Sequence, residues 1–358
     1  MSLFGADSDS MDGMTSTAST WDVRPLTEAL TPDQVRQWRR THREVKSGDP
    51  TSMWALLVVA PILIVGVLVA SSTWTSALQG GTASRPVFGL LVPLGMLVVA
   101  GVIVVATIRS TLGRNERLMR LYRFAEANGF IFSPRQSDPD YPGMVFGIGR
   151  RRTTIDHIVR GAGRFLDIGN FRYTTGSGKN QKTRTWGFMA LHLDRRLPHM
   201  LLDARSNNVL GMSNLPATFS RDQVLSLEGD FDRHFTLSCP REYERDALYV
   251  FTPDLMALLI DEAGAFDVEV IDDWMFVYST APFRMGDPST MLRLLRIIDT
   301  VGAKTVTQTD RYADERIGDP AVNLVAPKGA RLRRGVPWAT ILIGAVFVAV
   351  WLAITFVR

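Results

Sequence analysis

Three stretches of this chain carry no charged residue: 53–70, 86–108 and 337–357. At 1.5 Å of rise per residue, each is about long enough to cross a hydrocarbon core of roughly 30 Å. A soluble helix of that length shows a polar face, and these runs show none. They predict three transmembrane helices, at 53–71, 86–108 and 337–357, with the first two joined as a hairpin over 53–108. The apolar share of the whole chain, 46%, is ordinary; the constraint comes from how the apolar residues are bunched. About fifty residues precede the first run, far more than a cleaved signal peptide carries.

Basic residues cluster beside these runs. Arg36, Arg39, Arg40, Arg43 and Lys46 precede the first, Arg109, Arg114, Arg117, Arg120 and Arg123 follow the second, and Lys328, Arg331, Arg333 and Arg334 precede the third. The segment 71–85 holds only Arg85, and Arg358 alone closes the chain. The positive-inside rule then predicts a multi-pass protein of a bacterial plasma membrane, with the N-terminus and residues 109–335 cytoplasmic and the C-terminus outside. One cysteine, Cys239, suits a reducing compartment. The pI of about 9.4 comes largely from the flanking arginines, so it points to anionic lipid rather than nucleic acid. No run contains an ionisable residue, which leaves an ion path nothing to work with and argues against a transporter.

Residues 1–30, rich in Ser, Thr, Asp, Gly and Met without periodicity, predict a disordered tail. Thr31-Pro32-Asp33-Gln34 is a helix start, with Thr as N-cap, Pro at the first helical position and Gln three residues after the cap. A basic amphipathic juxtamembrane helix is expected over 31–47, with Val35, Trp38, His42 and Val45 along one side. Trp and Arg beside a span suit the headgroup layer, so Arg36, Trp38, Arg39, Arg40 and Arg43 are the expected lipid contacts; the alternative is a helix packed on the protein's own domain. In the third run Ala345, Ala349 and Ala353 recur every four residues, a small-residue face that could bring copies together as a homo-oligomer.

Between 109 and 335 the pattern predicts an α+β cytoplasmic domain with mainly antiparallel strands. A helix over 115–128 ends at Gly129. Strands are expected at 130–132, 143–148, 165–175, 183–193, 199–203, 223–228 and 234–238, then a helix starting at Thr252-Pro253. The segments 267–271 and 274–278 read as a hairpin turning at Asp272-Asp273, followed by a helix from Asp287-Pro288.

Chemistry-bearing motifs are weak. Gly178-Lys179-Asn180 lacks the first glycine and the Ser/Thr of a phosphate-binding loop, and Gly161-Ala162-Gly163 lacks the third glycine of a dinucleotide fingerprint. Asp272-Asp273 could pair carboxylates but suits a turn. His157, His192, His199 and His234 have no metal-ligand spacing, and Arg150-Arg151-Arg152 reads as a solvated turn, with contact to a lipid phosphate or an acidic partner as the alternative. No catalytic, cofactor-binding or metal-binding residue is assigned, and no cofactor is expected.

The segments Phe235-Thr-Leu-Ser-Cys-Pro240, 243–256 and 266–278 resemble a pattern in a family of uncharacterised bacterial, actinobacterial-like integral membrane proteins that share a domain of unknown function. The resemblance covers roughly 109–310 and implies a membrane setting without an activity. The expected function is a membrane protein whose cytoplasmic domain binds a protein or lipid partner in a scaffold or regulatory role; the alternative is a membrane-bound enzyme with its site in 109–335.

Overall fold

The computed structural model describes residues 21–43, 45, 60–62, 64–69, 71, 85–208, 212–319 and 321–335, together with 344, 346–348, 351 and 355. Two short helices, α1 (Arg24–Thr27) and α2 (Pro32–Thr41), precede a single long one, α3 (Arg85–Ala127). At 1.5 Å per residue, the 43 residues of α3 span about 65 Å.

The expectation of three transmembrane helices is corrected here. Among the described residues one helix, Leu94–Ala127 within α3, is long and apolar enough to cross a membrane, and a seven-stranded sheet dominates the fold. Only 6% of its most apolar stretch is buried, unlike a core helix of a soluble protein. Residues 60–69 form a shorter apolar helix, in which Gly66 lies against Met96 of α3. Most of 53–59 and 337–357, including Ala345, Ala349 and Ala353, falls outside the described residues.

Beyond Ile108, α3 continues without a break into the polar domain, where Leu118, Leu121, Phe124 and Ala125 enter the main core. The strands are β1 (Ile131–Ser137), β2 (Arg150–Arg160), β3 (Leu166–Thr175), β4 (Lys182–Ala204), β5 (Val224–Leu225), β6 (Phe235–Ser238) and β7 (Asp267–Ser279). All pairings are antiparallel, in the order β1-β2-β3-β4-β6-β5, with β7 on the other side of β4. The 23-residue β4 is the spine: its first half pairs with β3, its last residues pair with β6, and β7 runs beside both halves.

Several strand expectations change. Residues 143–148 form turns rather than a strand, whereas Arg150–Arg152 opens β2. The segments 183–193 and 199–203 are one strand, and so are 267–271 and 274–278. Asp272-Asp273 is therefore not a hairpin turn. Asp272 sits at φ 53° where the β4–β7 register slips, opposite Leu197. The slip has a packing reason. Val268 and Val270 face the main core before it, and Met275 and Val277 face the same core after it. A regular strand alternates faces with period two, so an irregularity must absorb one residue to keep both apolar sets on the correct side.

One face of the sheet is covered by the C-terminal half of α3 and by α4 (Glu244–Val250), α5 (Pro253–Leu258), α6 (Pro288–Ile297) and α7 (Ala303–Thr309). A one-turn π segment, Leu259–Ala263, extends α5, and a second, Ile298–Gly302, joins α6 to α7. The opposite face is covered by the loop 141–148, whose Tyr141, Val145 and Phe146 close an aromatic cluster with Phe171, Phe188, Phe276 and Tyr278.

Residues 21–30, expected in a disordered tail, are docked. The Trp21 ring stacks on Phe130 at 5.6 Å, Asp22 exchanges hydrogen bonds with the Asn128 side chain, and Leu26 is buried in the core. A capping box starts α2 as its motif predicts: Gln34 N–H donates to Thr31 Oγ1 at 3.3 Å, and Thr31 N–H donates to Gln34 Oε1 at 2.8 Å.

Candidate functional site

A cleft of about 1170 Å³ opens on the helical face of the sheet, at the point where α3 leaves its apolar stretch. Its walls come from several parts of the chain, Pro134 and Arg135 of β1 among them. Gly113–Arg120 of α3 form one side, and the loop 281–288 forms another. Ile155, Asp156, Asn170, Arg172 and Thr185 form the floor, and Leu26 and Thr27 close an end. Six arginines line it, Arg114, Arg117, Arg120, Arg135, Arg172 and Arg284, against three carboxylates, Glu116, Asp156 and Asp287.

Each carboxylate has a structural use. Glu116 pairs with Arg120 at 2.6 Å, one helical turn away. Asp287 caps α6, accepting from the Thr290 N–H at 2.9 Å and the Ser289 hydroxyl at 2.6 Å; these bonds hold its carboxyl down at about 2. Asp156 lies in a β2 irregularity at φ 50° and pairs with Arg117 at 2.8 Å. Burial pushes the Asp156 carboxyl above its ordinary value, with Arg117 opposing that shift.

Two cations remain. Arg172 and Arg284 are exposed, and among the described residues neither guanidinium has a hydrogen bond or an ion pair. Both are nevertheless well placed. Arg172 is in the middle of β3, paired with Thr153 on one side and Thr185 on the other. Arg284 follows Phe283, whose N–H donates to Asn170 Oδ1 at 2.6 Å and whose carbonyl accepts from Asn170 Nδ2 at 3.1 Å. Gly187 N–H adds a bond to the Ala281 carbonyl at 3.2 Å, and Phe283 packs over Gly187 where a Cβ would collide with its ring. The cleft is thus a rigid frame that presents guanidinium groups, the side chain best matched to phosphate and carboxylate oxygens.

A second cavity, about 850 Å³, lies on the opposite face of the sheet beside the loop 141–149. Its floor holds Glu269, which has no solvent exposure, and His199, 4% exposed. Glu269 accepts three hydrogen bonds, from His199 Nε2 at 2.9 Å, the Tyr278 hydroxyl at 2.8 Å and the Met144 N–H at 2.8 Å. The Leu332 N–H donates to His199 Nδ1 at 3.1 Å, which fixes the tautomer with the proton on Nε2. Every ring nitrogen is used, so His199 has no lone pair left to act as a base. A parallel network joins Tyr141, Asp167 and His157: the Tyr141 hydroxyl donates to Asp167 at 2.7 Å and His157 Nδ1 to Asp167 at 3.0 Å. Both networks pin the loop 141–148 to the sheet, and neither includes a nucleophile.

The expected lipid contacts divide. Trp38 is 7% exposed, stacks on His42 at 5.1 Å and meets the Tyr122 ring at 5.8 Å. Tyr122 lies fourteen residues past Ile108, about 21 Å along α3. Trp38 therefore packs between α2 and α3: its ring meets that of Tyr122, and the Val35 side chain lies with it in the same core cluster as Leu118. Arg36, Arg40 and Arg43 are exposed, and Arg39 donates to the Val45 carbonyl. None of them lines the cleft. Arg150 and Arg152 also serve structure, Arg150 bonding the Gly176 carbonyl at 2.8 Å and Arg152 that of Phe146 at 3.1 Å. Among the described residues no group of three or more metal-ligating side chains occurs. Cys239 is buried, which pushes its thiol up to about 12.

Arg172, Arg284, Asp156 and Asn170 were not singled out by the sequence. One signal existed in β3: Leu166 and Ile168 face the core, and the next two positions on that face are Asn170 and Arg172. That switch marks where the core ends and a polar cleft begins. Arg284, in an irregular loop, gave none.

No protein-family model and no curated protein matches this chain. Among solved structures, the mycobacterial trehalose monomycolate transport factor A aligns with 53% of this chain and 90% of its own length, at 13% identity and a TM-score of 0.34. A likeness at that level does not establish a shared fold.

Proposed function

We propose that this chain is a membrane-anchored protein whose polar domain binds the headgroup of an anionic lipid in the arginine-lined cleft. The observation that carries the reading is position. Gly113, the first cleft residue on α3, follows the end of the apolar stretch at Ile108 by five residues, about 7.5 Å of helix. The headgroup layer is about 5–8 Å deep on each side of the hydrocarbon core, so the mouth of the cleft is within reach of lipid phosphates. The arginines that follow the apolar stretch, against Arg85 alone before it, favour a cytoplasmic domain. Arg36, Arg40 and Arg43 add long-range attraction to an anionic surface. Binding of a lipid in a scaffold or regulatory role fits this arrangement better than catalysis, because His199 has both ring nitrogens engaged, and His157, whose Nε2 is unpartnered, is buried and does not line the cleft.

The test uses the full chain in neutral detergent, with thermal unfolding followed as anionic or zwitterionic lipid is added. Anionic lipid should raise the melting temperature, and Arg172→Ala/Arg284→Ala should abolish the rise. An equal rise with zwitterionic lipid, or one retained by the double variant, would overturn the proposal.

A further inference from the structure

The charge balance inside the cleft narrows the ligand. Arg117 and Arg120 are each held by a carboxylate, at 2.8 and 2.6 Å. Arg172 and Arg284 are the two lining guanidiniums for which no hydrogen bond or ion pair is found among the described residues. They stand on separate, braced elements, β3 and the Asn170-tied loop. Two positive charges lining one space, each partly offset by a nearby carboxylate (Asp156 for Arg172, Asp287 for Arg284), are best met by a ligand group that carries two negative charges on one centre. A phosphomonoester carries about −1.5 to −2 at pH 7, whereas the phosphodiester of an ordinary glycerophospholipid carries one. Its three terminal oxygens can also accept from both planar guanidinium forks at once.

Asp156 bears on the same space. Its side chain is 11% exposed and lies on the cleft floor, and its backbone is in the left-handed region, which Asp and Asn tolerate better than most residues. It occupies Arg117 and also lies within the field of Arg172. An incoming anion meets this resident carboxylate as a repelling charge and finds Arg117 already engaged.

Building on the lipid-headgroup reading above, we infer that the cleft takes a terminal phosphate monoester between Arg172 and Arg284, and that Asp156 is a built-in counter-anion that limits its affinity. Removing Asp156 by Asp156→Asn keeps a residue suited to the left-handed backbone while deleting the charge. It releases Arg117 to the ligand. A variant that gains affinity cannot be explained by misfolding, which makes this the sharper arm of the test.

The experiment is calorimetric titration of the full chain in a neutral maltoside detergent and phosphate-free buffer. The titrants are dioctanoyl phosphatidate, dioctanoyl phosphatidylglycerol and glycerol 3-phosphate. Phosphatidate should bind about tenfold or more tighter than phosphatidylglycerol, reflecting the second charge and the additional charge-assisted hydrogen bonds. Arg172→Ala and Arg284→Ala should each weaken phosphatidate by about tenfold, and Asp156→Asn should tighten it by about three- to tenfold. Equal affinity for the two lipids would overturn the monoester class while leaving the anionic-lipid reading intact. Glycerol 3-phosphate binding as tightly as phosphatidate would instead support the monoester and overturn the lipid source. Absence of binding by all three would remove both readings. Unchanged or weaker phosphatidate binding in Asp156→Asn would overturn the role of Asp156.

Discussion

The two faces of the central sheet treat their charged side chains in opposite ways. On the loop-covered face, Glu269 takes three donors and Asp167 two partners, so the buried charge there is enclosed by hydrogen bonds. On the helical face, the cleft leaves Arg172 and Arg284 exposed to solvent, without an ion pair among the described residues. A buried carboxylate must be satisfied, because stranding it costs several kcal/mol; an exposed guanidinium carries almost no such penalty and is available to a ligand. Satisfied networks hold the structure, and unsatisfied surface charge is where binding is to be sought.

That contrast breaks most visibly at Glu269. Glu269→Ala leaves His199, Tyr278 and the Met144 N–H without their acceptor and should cost about 3–5 kcal/mol. Guanidinium denaturation of the full chain in neutral detergent measures it, and a loss below about 1 kcal/mol would mean the network is not what holds the loop.

Asp267 is an informative intermediate case, a buried carboxylate that is only half satisfied. Its Oδ1 accepts from the Ala204 N–H at 2.9 Å and Asn207 Nδ2 at 3.1 Å, while Oδ2 has no partner. Burial pushes its carboxyl up to about 7. A raised carboxyl favours the folded state while protonated, so its contribution is fully present below about pH 4 and is lost as pH rises through about 7. Asp267→Asn should therefore stabilise the protein by about 1–3 kcal/mol at pH 8 and by little near pH 4. Stability profiles that run parallel across that window would show that Asp267 does not titrate in it.

The smallest stability effects belong to the cleft. Arg172→Ala and Arg284→Ala, which remove no hydrogen bond or ion pair, should change stability by no more than about 0.5 kcal/mol. If either approached the Glu269→Ala loss, the division between structural and available charge would fail.

Much of the local structure was legible in the residues themselves. Thr31-Pro32-Asp33-Gln34 starts a helix because its capping bonds are made within four residues, and Asp287-Pro288 starts another for the same reason. Asp272-Asp273 misled, because a turn and a strand irregularity draw on the same tolerance for positive φ. Only the partner strand distinguishes them: β4 runs past this point without ending, and its own register slips at the same level. Trp38 is ambiguous for a related reason, since an aromatic ring on a basic helix suits lipid and protein surfaces equally, and its packing against Tyr122 of α3 leaves no trace in the spacing of α2.

By itself the sequence determined what depends on near neighbours: the apolar stretch carried by α3, the arginines that follow it, the helix starts and the alternation within single strands. The tertiary structure decided which distant residues share a space. It set Arg117 against Asp156, brought Arg172 of β3 and Arg284 of a loop more than a hundred residues later to line one cleft, and closed Glu269 with His199 of β4 and the Met144 N–H as well as Tyr278 of its own strand. Capping and periodicity are short-range interactions and leave a local signature. Pairing across a sheet depends on register, and no spacing along the chain records it.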